Sequence, residues 1–350
     1  MHQKIIYVLH KNGANSHYNA LNFLLQQNSI KLKYREFSLF SSLFKGLISF
    51  NFVSLKKQCV NLGFLITLLV TKNKKIVLGI APFDSKLKRL LFLLKNHNIY
   101  YHTSWTYWDK SFHPKYKKNS TRVYESWRFF LEEKVKHIFA VTQQSKNQLL
   151  DNYKINDLDI SVVYHALHQS FIKTTQKKKK ELSFIYLGRL LPQKGLKELL
   201  TFFANRKVAT FTIVGDGKEK TMIEDYANKN TNIIYIPYIK DTIEIVNLLA
   251  LQQYLILNSK KTKKWEELFG LVIIESMSQG VIPVATNHSG PKEIITKDVG
   301  YLCNEGEITK ILNKLILGDK FDERMSKNAV KAAKFYLEES IAQKWSKILN

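Results

Sequence analysis

The sequence predicts an α/β protein made of two doubly wound domains, and three observations lead there. At 350 residues the chain exceeds what one ordinary core supports. Short, continuously apolar, β-rich runs alternate with helical stretches of crossover length, the pattern of strands buried on both faces of a parallel sheet. The composition is globular, with 45% hydrophobic and 24% charged residues and only 14 Gly and 6 Pro.

In the first half the strands are expected at Ile5–Leu9, Lys31–Phe37, Lys75–Ile80, Ile99–Thr103, His137–Thr142 and Ile160–Tyr164. In the second half they are expected at Ser183–Leu187, Ala209–Val214, Ile233–Ile236, Tyr254–Asn258, Val281–Ala285 and Gly300–Cys303. Crossover helices fit Lys194–Phe203, Glu219–Asn228 and Gly270–Gln279. The polar run 174–181, Thr-Thr-Gln-Lys-Lys-Lys-Lys-Glu, has no apolar period and reads as a linker. The expected division is therefore a domain over 1–173, the linker 174–181, a domain over 182–335, and a final helix over 336–350 packing back on the first domain.

Charge is the departure from an ordinary composition. There are 54 Lys and Arg against 29 Asp and Glu, a net +25. Residues 1–175 hold 26 basic and 9 acidic residues, net +17, and the rest holds 28 and 20, net +8. A basic front half points to a polyanionic partner: nucleic acid, an anionic membrane face or phosphorylated substrates. Two cysteines, Cys59 and Cys303, are too few for a disulfide framework or a structural zinc site, and a reducing cytoplasm with buried, inert thiols fits them. The opening apolar run Ile5–Leu9 is too short for a signal sequence, and Gly63–Val70 is too short to span a bilayer, which takes about 20 apolar residues.

Four glycine turns in the second half follow strands and precede helices. In the first, Tyr186-Leu-Gly-Arg-Leu-Leu-Pro-Gln-Lys-Gly195, a buried strand runs into Gly188. Arg189 and Lys194 then flank a turn at the carboxyl end of a strand, where open α/β sheets bind ligands. Two fixed cations there suit a diphosphate. The second turn, Val214-Gly-Asp-Gly-Lys218, is spaced too closely for a P-loop, but Gly215 and Gly217 would let the backbone approach a nucleotide. In the third stretch, Glu267-Leu-Phe-Gly-Leu-Val-Ile-Ile-Glu275, Gly270 opens an apolar helix that carries Glu275, and Glu267 stands just before the helix N-terminus. A carboxylate inside an apolar helix needs a partner, and vicinal ribose hydroxyls are good ones. The fourth turn is His288-Ser-Gly-Pro-Lys-Glu293.

Taken together and in order over residues 183–303, these turns resemble the family 4 retaining glycosyltransferases, glycosyl transferases group 1, of the GT-B fold. The matching features are Gly188/Arg189 with Lys194/Gly195, Val214–Gly217, two glutamates seven residues apart around Phe269-Gly270, and Gly290…Glu293. The resemblance implies two Rossmann-like domains facing across a cleft and transfer of a sugar from a nucleotide-diphosphate donor. It implies that Arg189 and Lys194 hold the diphosphate, that Glu275 binds the ribose, and that Glu267 with the Phe269 and Gly270 amides contacts the sugar. No metal and no cofactor are expected. Asp157-Leu-Asp159 looks like the Asp-x-Asp metal motif of another glycosyltransferase fold, but it sits in a polar loop and reads as coincidence.

The first half matches less closely. Gly13 follows the first strand where the family has a glycine turn, but it stands alone. His102 ends a strand where family members often carry a sugar-contacting histidine; the residue by itself fits a satisfied loop histidine equally well. His165-Ala-Leu-His168 replaces the family's Asn-Gly-Val-Asp. Lys86–Lys95 is a short cationic, apolar helix candidate, and Leu39–Leu55 adds Phe40, Phe44, Phe50 and Phe52 beside lysines. Such segments bind anionic bilayers. The resulting expectation is a glycosyltransferase acting on a glycan or lipid-linked acceptor in bacterial surface polysaccharide synthesis, cytoplasmic and peripheral on the anionic inner membrane face. The alternatives are a basic nucleic-acid binder, for which no helix-turn-helix, zinc-finger or aromatic RNA-binding pattern is found, and an epimerase-like relative of the same fold.

Overall fold

The computed structural model describes residues 3–11, 15–38, 52–112, 121–172, 177–263, 265–318 and 320–350. The chain divides into two compact units, one formed by Met1–Ala166 with Glu338–Asn350 and the other by Leu167–Leu337.

In the first unit six parallel strands, β1 Ile5–His10, β2 Lys31–Glu36, β3 Lys75–Gly79, β4 Asn98–Thr103, β5 Val135–Ala140 and β6 Ile160–Val162, lie in the order β2-β1-β3-β4-β5-β6. The helices are α1 Asn19–Gln27, α2 Phe52–Val70, α3 Leu87–Leu94, α4 Thr121–Phe129 and α5 Gln143–Asn152. A core on one side of the sheet joins Val8, Leu21, Leu25, Val77, Tyr100 and Phe139 to Trp345 from the chain end. Trp345 lies 4.3 Å from the Phe139 ring, and Lys75 Nζ donates to the carbonyls of Ile348 (3.0 Å) and Leu349 (2.7 Å). Residues 338–350 are thus integral to this unit.

The second unit repeats the architecture with a different strand order. Strands β7 Ser183–Leu187, β8 Thr210–Val214, β9 Ile233–Ile236, β10 Tyr254–Leu257, β11 Ile282–Thr286 and β12 Tyr301–Cys303 are parallel, in the order β12-β11-β10-β7-β8-β9. Its helices are α6 Leu196–Ala204, α7 Lys220–Lys229, α8 Thr242–Leu249, α9 Leu271–Ser278, α10 Ser289–Ile294, α11 Ile308–Leu317 and α12 Glu323–Ala333. Strand order reverses at β7/β10, so the carboxyl ends of these neighbours open a crevice.

All twelve strands lie within two residues of the positions their apolar runs predict. Three expectations differ. The break expected at 174–181 compares with a division at Leu167; residues 173–176 lie outside the described residues, and beyond them Lys179 Nζ donates to the carbonyls of Gln252 and Gln279. Of the helix sought at Leu39–Leu55, residues 39–51 lie outside the described residues, and α2 runs on to Val70. Cys59 is exposed on α2, not buried; Cys303 is half-buried, and burial pushes its thiol up to about 11.

Candidate active site

The site grows from the turn after β7. The ladder continues past the strands: Gly188 N–H donates to Val214 O at 3.0 Å, Gly215 N–H to Ile236 O at 3.1 Å and Leu190 N–H to Asp216 O at 2.9 Å. The turns after β7 and β8 are therefore laid flush against one another. Gly215 has φ 150°, and a Cβ there would stand 1.9 Å from the Gly188 carbonyl oxygen, so only glycine lets the two turns touch. On the other side of the crevice a second close approach fixes the loop before α9. Gly290 N–H donates to Glu267 O at 3.1 Å, and a Cβ at Gly290 would fall 2.2 Å from the Phe269 main chain.

Between these turns lies a cavity of about 580 Å³, lined among others by Gly188, Arg189, Lys194, Gly215, Glu267 and Glu275. Arg189 is exposed, with its carbonyl held by the Tyr186 hydroxyl at 2.7 Å. Lys194 is buried; its Nζ stands 4.6 Å over the Trp265 ring and forms an ion pair with Glu267 Oε2. Ser259 Oγ donates to the same carboxylate oxygen at 3.2 Å. A cation and a carboxylate, both largely dried, are thereby held in one place before any ligand arrives.

Glu275 differs. It is half-buried on α9 among Ile273, Ile274 and Met277 and lines the cavity; its carbonyl accepts from Ser278 Oγ at 2.6 Å, while its carboxylate has no hydrogen bond or ion pair among the described residues. Desolvation pushes its carboxyl up to about 7. An acceptor without a donor at a cavity wall fits hydroxyl donors from a ligand.

Adjacent glutamates have separate jobs, which the sequence did not reveal. Glu266 turns away from the cavity: its Oε1 accepts from the Ser289 N–H (3.1 Å) and hydroxyl (2.9 Å), and it faces His288 Nδ1 at 3.6 Å. His288 Nε2 lies 2.8 Å from the Ser259 carbonyl and 3.4 Å from Glu305. Burial lowers the His288 pKa, but the carboxylates and that carbonyl outweigh it, and the net shift is upward. Glu266 thus ties the loop carrying Glu267 to α10. Also missed were Ser259, Trp265, and the cavity-lining Tyr238 and Ile239, none of which stands in a spaced motif; Asp216, inside the second glycine turn, lines the cavity as well.

Two expected donor residues sit elsewhere than on the cavity wall. Gly217 packs its turn against Leu190, whose carbonyl oxygen would be 2.4 Å from a Cβ there. Phe269 is buried, with its ring 6.1 Å from that of Tyr336 and its main chain packed against Gly290. Gly13 lies outside the described residues. His102 belongs to the first unit, at the end of β4, where it is buried 4.9 Å from the Tyr18 ring and 6.0 Å from His165; His165 in turn lies 4.2 Å from His17. Burial, with His17 and His10 nearby, holds His102 well below the ordinary histidine range, so it is neutral near pH 7, and its Nε2 has no hydrogen-bond partner among the described residues. Asp157 pairs with Lys146 at 2.8 Å, and no group of three or more His, Cys, Asp or Glu among the described residues is arranged to hold a metal ion.

Comparison with known proteins bears on this site. Residues 168–332 match the family model Glycosyl transferases group 1. That span is nearly the whole of the second unit. N-acetyl-alpha-D-glucosaminyl L-malate synthase of Bacillus anthracis is 30% identical over 207 residues, covering 55% of this chain and 52% of that protein. O-antigen chain mannosyltransferase RfbU of Salmonella typhimurium is 26% identical over 226 residues, covering 61% and 59%. The chain therefore spans a little over half the length of the curated relatives it matches. The crystal structure of Anabaena Alr3699/HepE in complex with UDP superposes with a TM-score of 0.67 at 17% identity, covering 99% of each chain. At that identity the likeness speaks for the fold, and the two parallel sheets are those of a GT-B protein.

Proposed function

We propose that this protein is a retaining, metal-independent glycosyltransferase that moves a sugar from a nucleotide-diphosphate donor to a glycan or lipid-linked acceptor. The observation that carries this reading is the cavity at the β7/β10 crevice, with the cations Arg189 and Lys194 at one wall and the unpartnered carboxylate of Glu275 at another. A diphosphate beside the cations and a ribose against Glu275 match both sets of groups. As the sugar–phosphate bond breaks, negative charge grows on the leaving phosphate, and preplaced cations stabilise it more than they stabilise the ground state. In that role they supply the positive charge a metal would otherwise bring. Glu267, fixed by Lys194 and Ser259, orients the sugar. Retention is carried over from the resemblance of the motifs. The O-antigen mannosyltransferase and the UDP complex of HepE support a nucleotide-sugar donor and a role in surface polysaccharide synthesis. A lipid-linked acceptor would keep the enzyme peripheral on the inner face of the cell membrane.

A panel of UDP-, GDP- and ADP-sugars scored by thermal stabilisation tests the reading, because a bound donor raises stability by mass action. One nucleotide class should stabilise the protein, transfer should survive a chelator, and the product should keep the donor's anomeric configuration. Absence of stabilisation by every nucleotide sugar sinks the donor assignment.

A further inference from the structure

The first unit carries a surface that the donor site does not use. Helices α2 and α3 pack side by side, as do α3 and α4. Each turns a buried face inward: Asn61, Phe64 and Leu68 on α2, Leu87, Leu90 and Leu94 on α3, and Trp127 on α4. The opposite faces are apolar where a solvated layer would be polar. Ile66, Leu69 and Val70 on α2 are 55%, 46% and 80% exposed, Phe92 on α3 is 62% exposed, and Phe129 on α4 is 48% exposed. Isolated exposed apolar residues are ordinary, but a run of them across neighbouring helices marks an interaction surface.

Charge says what the partner is. Residues 52–98 hold nine basic residues and one acidic residue, Asp84. Lys88, Arg89 and Lys95 are exposed on or beside α3, and Arg128 is exposed on α4; Glu125 is the single acidic residue on the three helices. Lys95 Nζ stands 5.1 Å from the exposed Phe92 ring, so cation and apolar surface are interleaved. Lys86, grouped with these by sequence, is half-buried at the start of α3 and does not belong to the face. A second copy of this chain would bring like charges together, and a nucleic acid would leave the isoleucine, leucine and phenylalanine side chains without a partner. A surface of acidic headgroups over an apolar interior satisfies both.

We infer that the outer face of α2, α3 and α4 docks on an anionic lipid surface, with Ile66, Leu69 and Phe92 entering the interface and Lys88, Arg89 and Lys95 meeting the headgroups. No helix among the described residues is long and apolar enough to cross a membrane, so the helices lie along the surface. The inference names the face for the peripheral attachment proposed above. It rests on that reading only for which leaflet is met.

Flotation with phosphatidylglycerol-containing and pure phosphatidylcholine vesicles tests it, on the full chain. Wild type should float with the anionic vesicles and stay down with the neutral ones. Changing Lys88, Arg89 and Lys95 together to Gln should lower partitioning about a hundredfold, at about one decade or less per cation. Changing Ile66, Leu69 and Phe92 together to Ser should lower it by a hundredfold or more. All six side chains lie at the surface, so both variants should melt as wild type does. Wild type that ignores anionic vesicles, or either variant floating as wild type, overturns the assignment. If the Ser variant instead converts a dimer to a monomer, the face joins two copies and the lipid assignment falls. Stabilisation by the same panel of UDP-, GDP- and ADP-sugars, measured on the same samples, separates the two readings: docking lost with stabilisation kept removes only the lipid face, and docking kept with no nucleotide sugar stabilising removes only the donor.

Discussion

The two six-stranded sheets are alike in strand number and direction, yet they open in different places and carry different chemistry at their rims. In the second unit the order β12-β11-β10-β7-β8-β9 reverses at β7/β10, and the strand ends there lead into Gly188 and Ser259, next to a cavity with fixed charges. In the first the order β2-β1-β3-β4-β5-β6 reverses at β1/β3, and the described residues at the strand ends are rich in histidine: His10 ends β1, His102 lies in β4, and His165 follows β6. Glycines bring backbone to backbone in one unit; aromatic and imidazole rings fill the corresponding level in the other. The same topology class therefore sets glycine turns around fixed charges in one unit, while the other packs histidine and aromatic rings beside a cavity lined by Arg35, Glu36, Lys56 and Lys57.

The most disruptive test of that contrast removes the cations. Arg189→Ala and Lys194→Ala should each lower turnover about a hundredfold or more, and by more than they weaken binding of the intact donor. Arg189 is exposed and its loss should leave stability unchanged. Lys194 is not, and removing it strands Glu267. The Lys194→Ala, Glu267→Ala double variant should then be less destabilised than the sum of the singles. Steady-state kinetics and denaturant melts read both; equal effects on turnover and affinity would make the cations ground-state anchors.

Next is the lone carboxylate. Glu275→Gln should weaken nucleotide-diphosphate binding by roughly 1.5–3 kcal/mol, seen by titration calorimetry. It should also stabilise the empty protein. The carboxyl's folded pKa is about 7, above its ordinary value, so the group favours folding below about pH 4.5 and loses that contribution as pH rises toward 7. The gain from Gln should therefore be larger at pH 8 than at pH 5. Unchanged affinity would remove Glu275 from the ribose.

Both ligand-side effects concern residues that the sequence exposed, and the reason is physical. Strands buried on both faces must be continuous apolar runs, and turns that take positive φ or bring backbones together favour glycine, so β7 to β12 and the turns at Gly188, Gly215, Gly270 and Gly290 could be found from the order of residues along the chain. The first unit offered less. His17, His102 and His165 are far apart in sequence and meet only through strand order. On α2, apolar residues occupy both the buried and the exposed side, and no amphipathic period separates them. Glu266 and Glu267 are chemically identical neighbours, and which one enters the cavity is decided by the Ser289 N–H and His288 on one side and by Lys194 on the other.

A smaller effect should distinguish the units by pH. His10 and His137 are lowered to about 4, His17 is lowered, and His102 and His165 lie well below the ordinary range, in each case chiefly through burial. All five belong to the first unit. Their folded pKa values are depressed, so the unfolded chain binds more protons below about 6.5, and the first unit loses stability as pH falls from there toward 4. Four of the five tryptophans, Trp105, Trp108, Trp127 and Trp345, report that unit; Trp265→Phe removes the fifth. Its fluorescence-monitored Tm should fall by a few degrees or more between pH 7 and pH 5. A flat profile would show that these rings accept protons without cost.

The smallest expected effect has the opposite sign and belongs to the second unit. His288 is raised, because Glu266, Glu305 and the Ser259 carbonyl favour its protonated form over the cost of burying it. A raised histidine contributes stability that is fully present below its unfolded pKa of about 6.5 and is lost as pH rises through the folded value. His288→Gln keeps a hydrogen-bonding side chain and removes the charge. The substitution should cost about 1 kcal/mol at pH 6 and little at pH 9, the reverse of the acid-side loss in the first unit. Because Glu266 ties the Glu267 loop to α10 through His288 and Ser289, turnover should also decline at high pH in wild type and become less pH-dependent in the variant. Urea melts and rates at both pH values decide it. A cost independent of pH would mean that His288 acts by packing alone and that Ser289 suffices to hold Glu266.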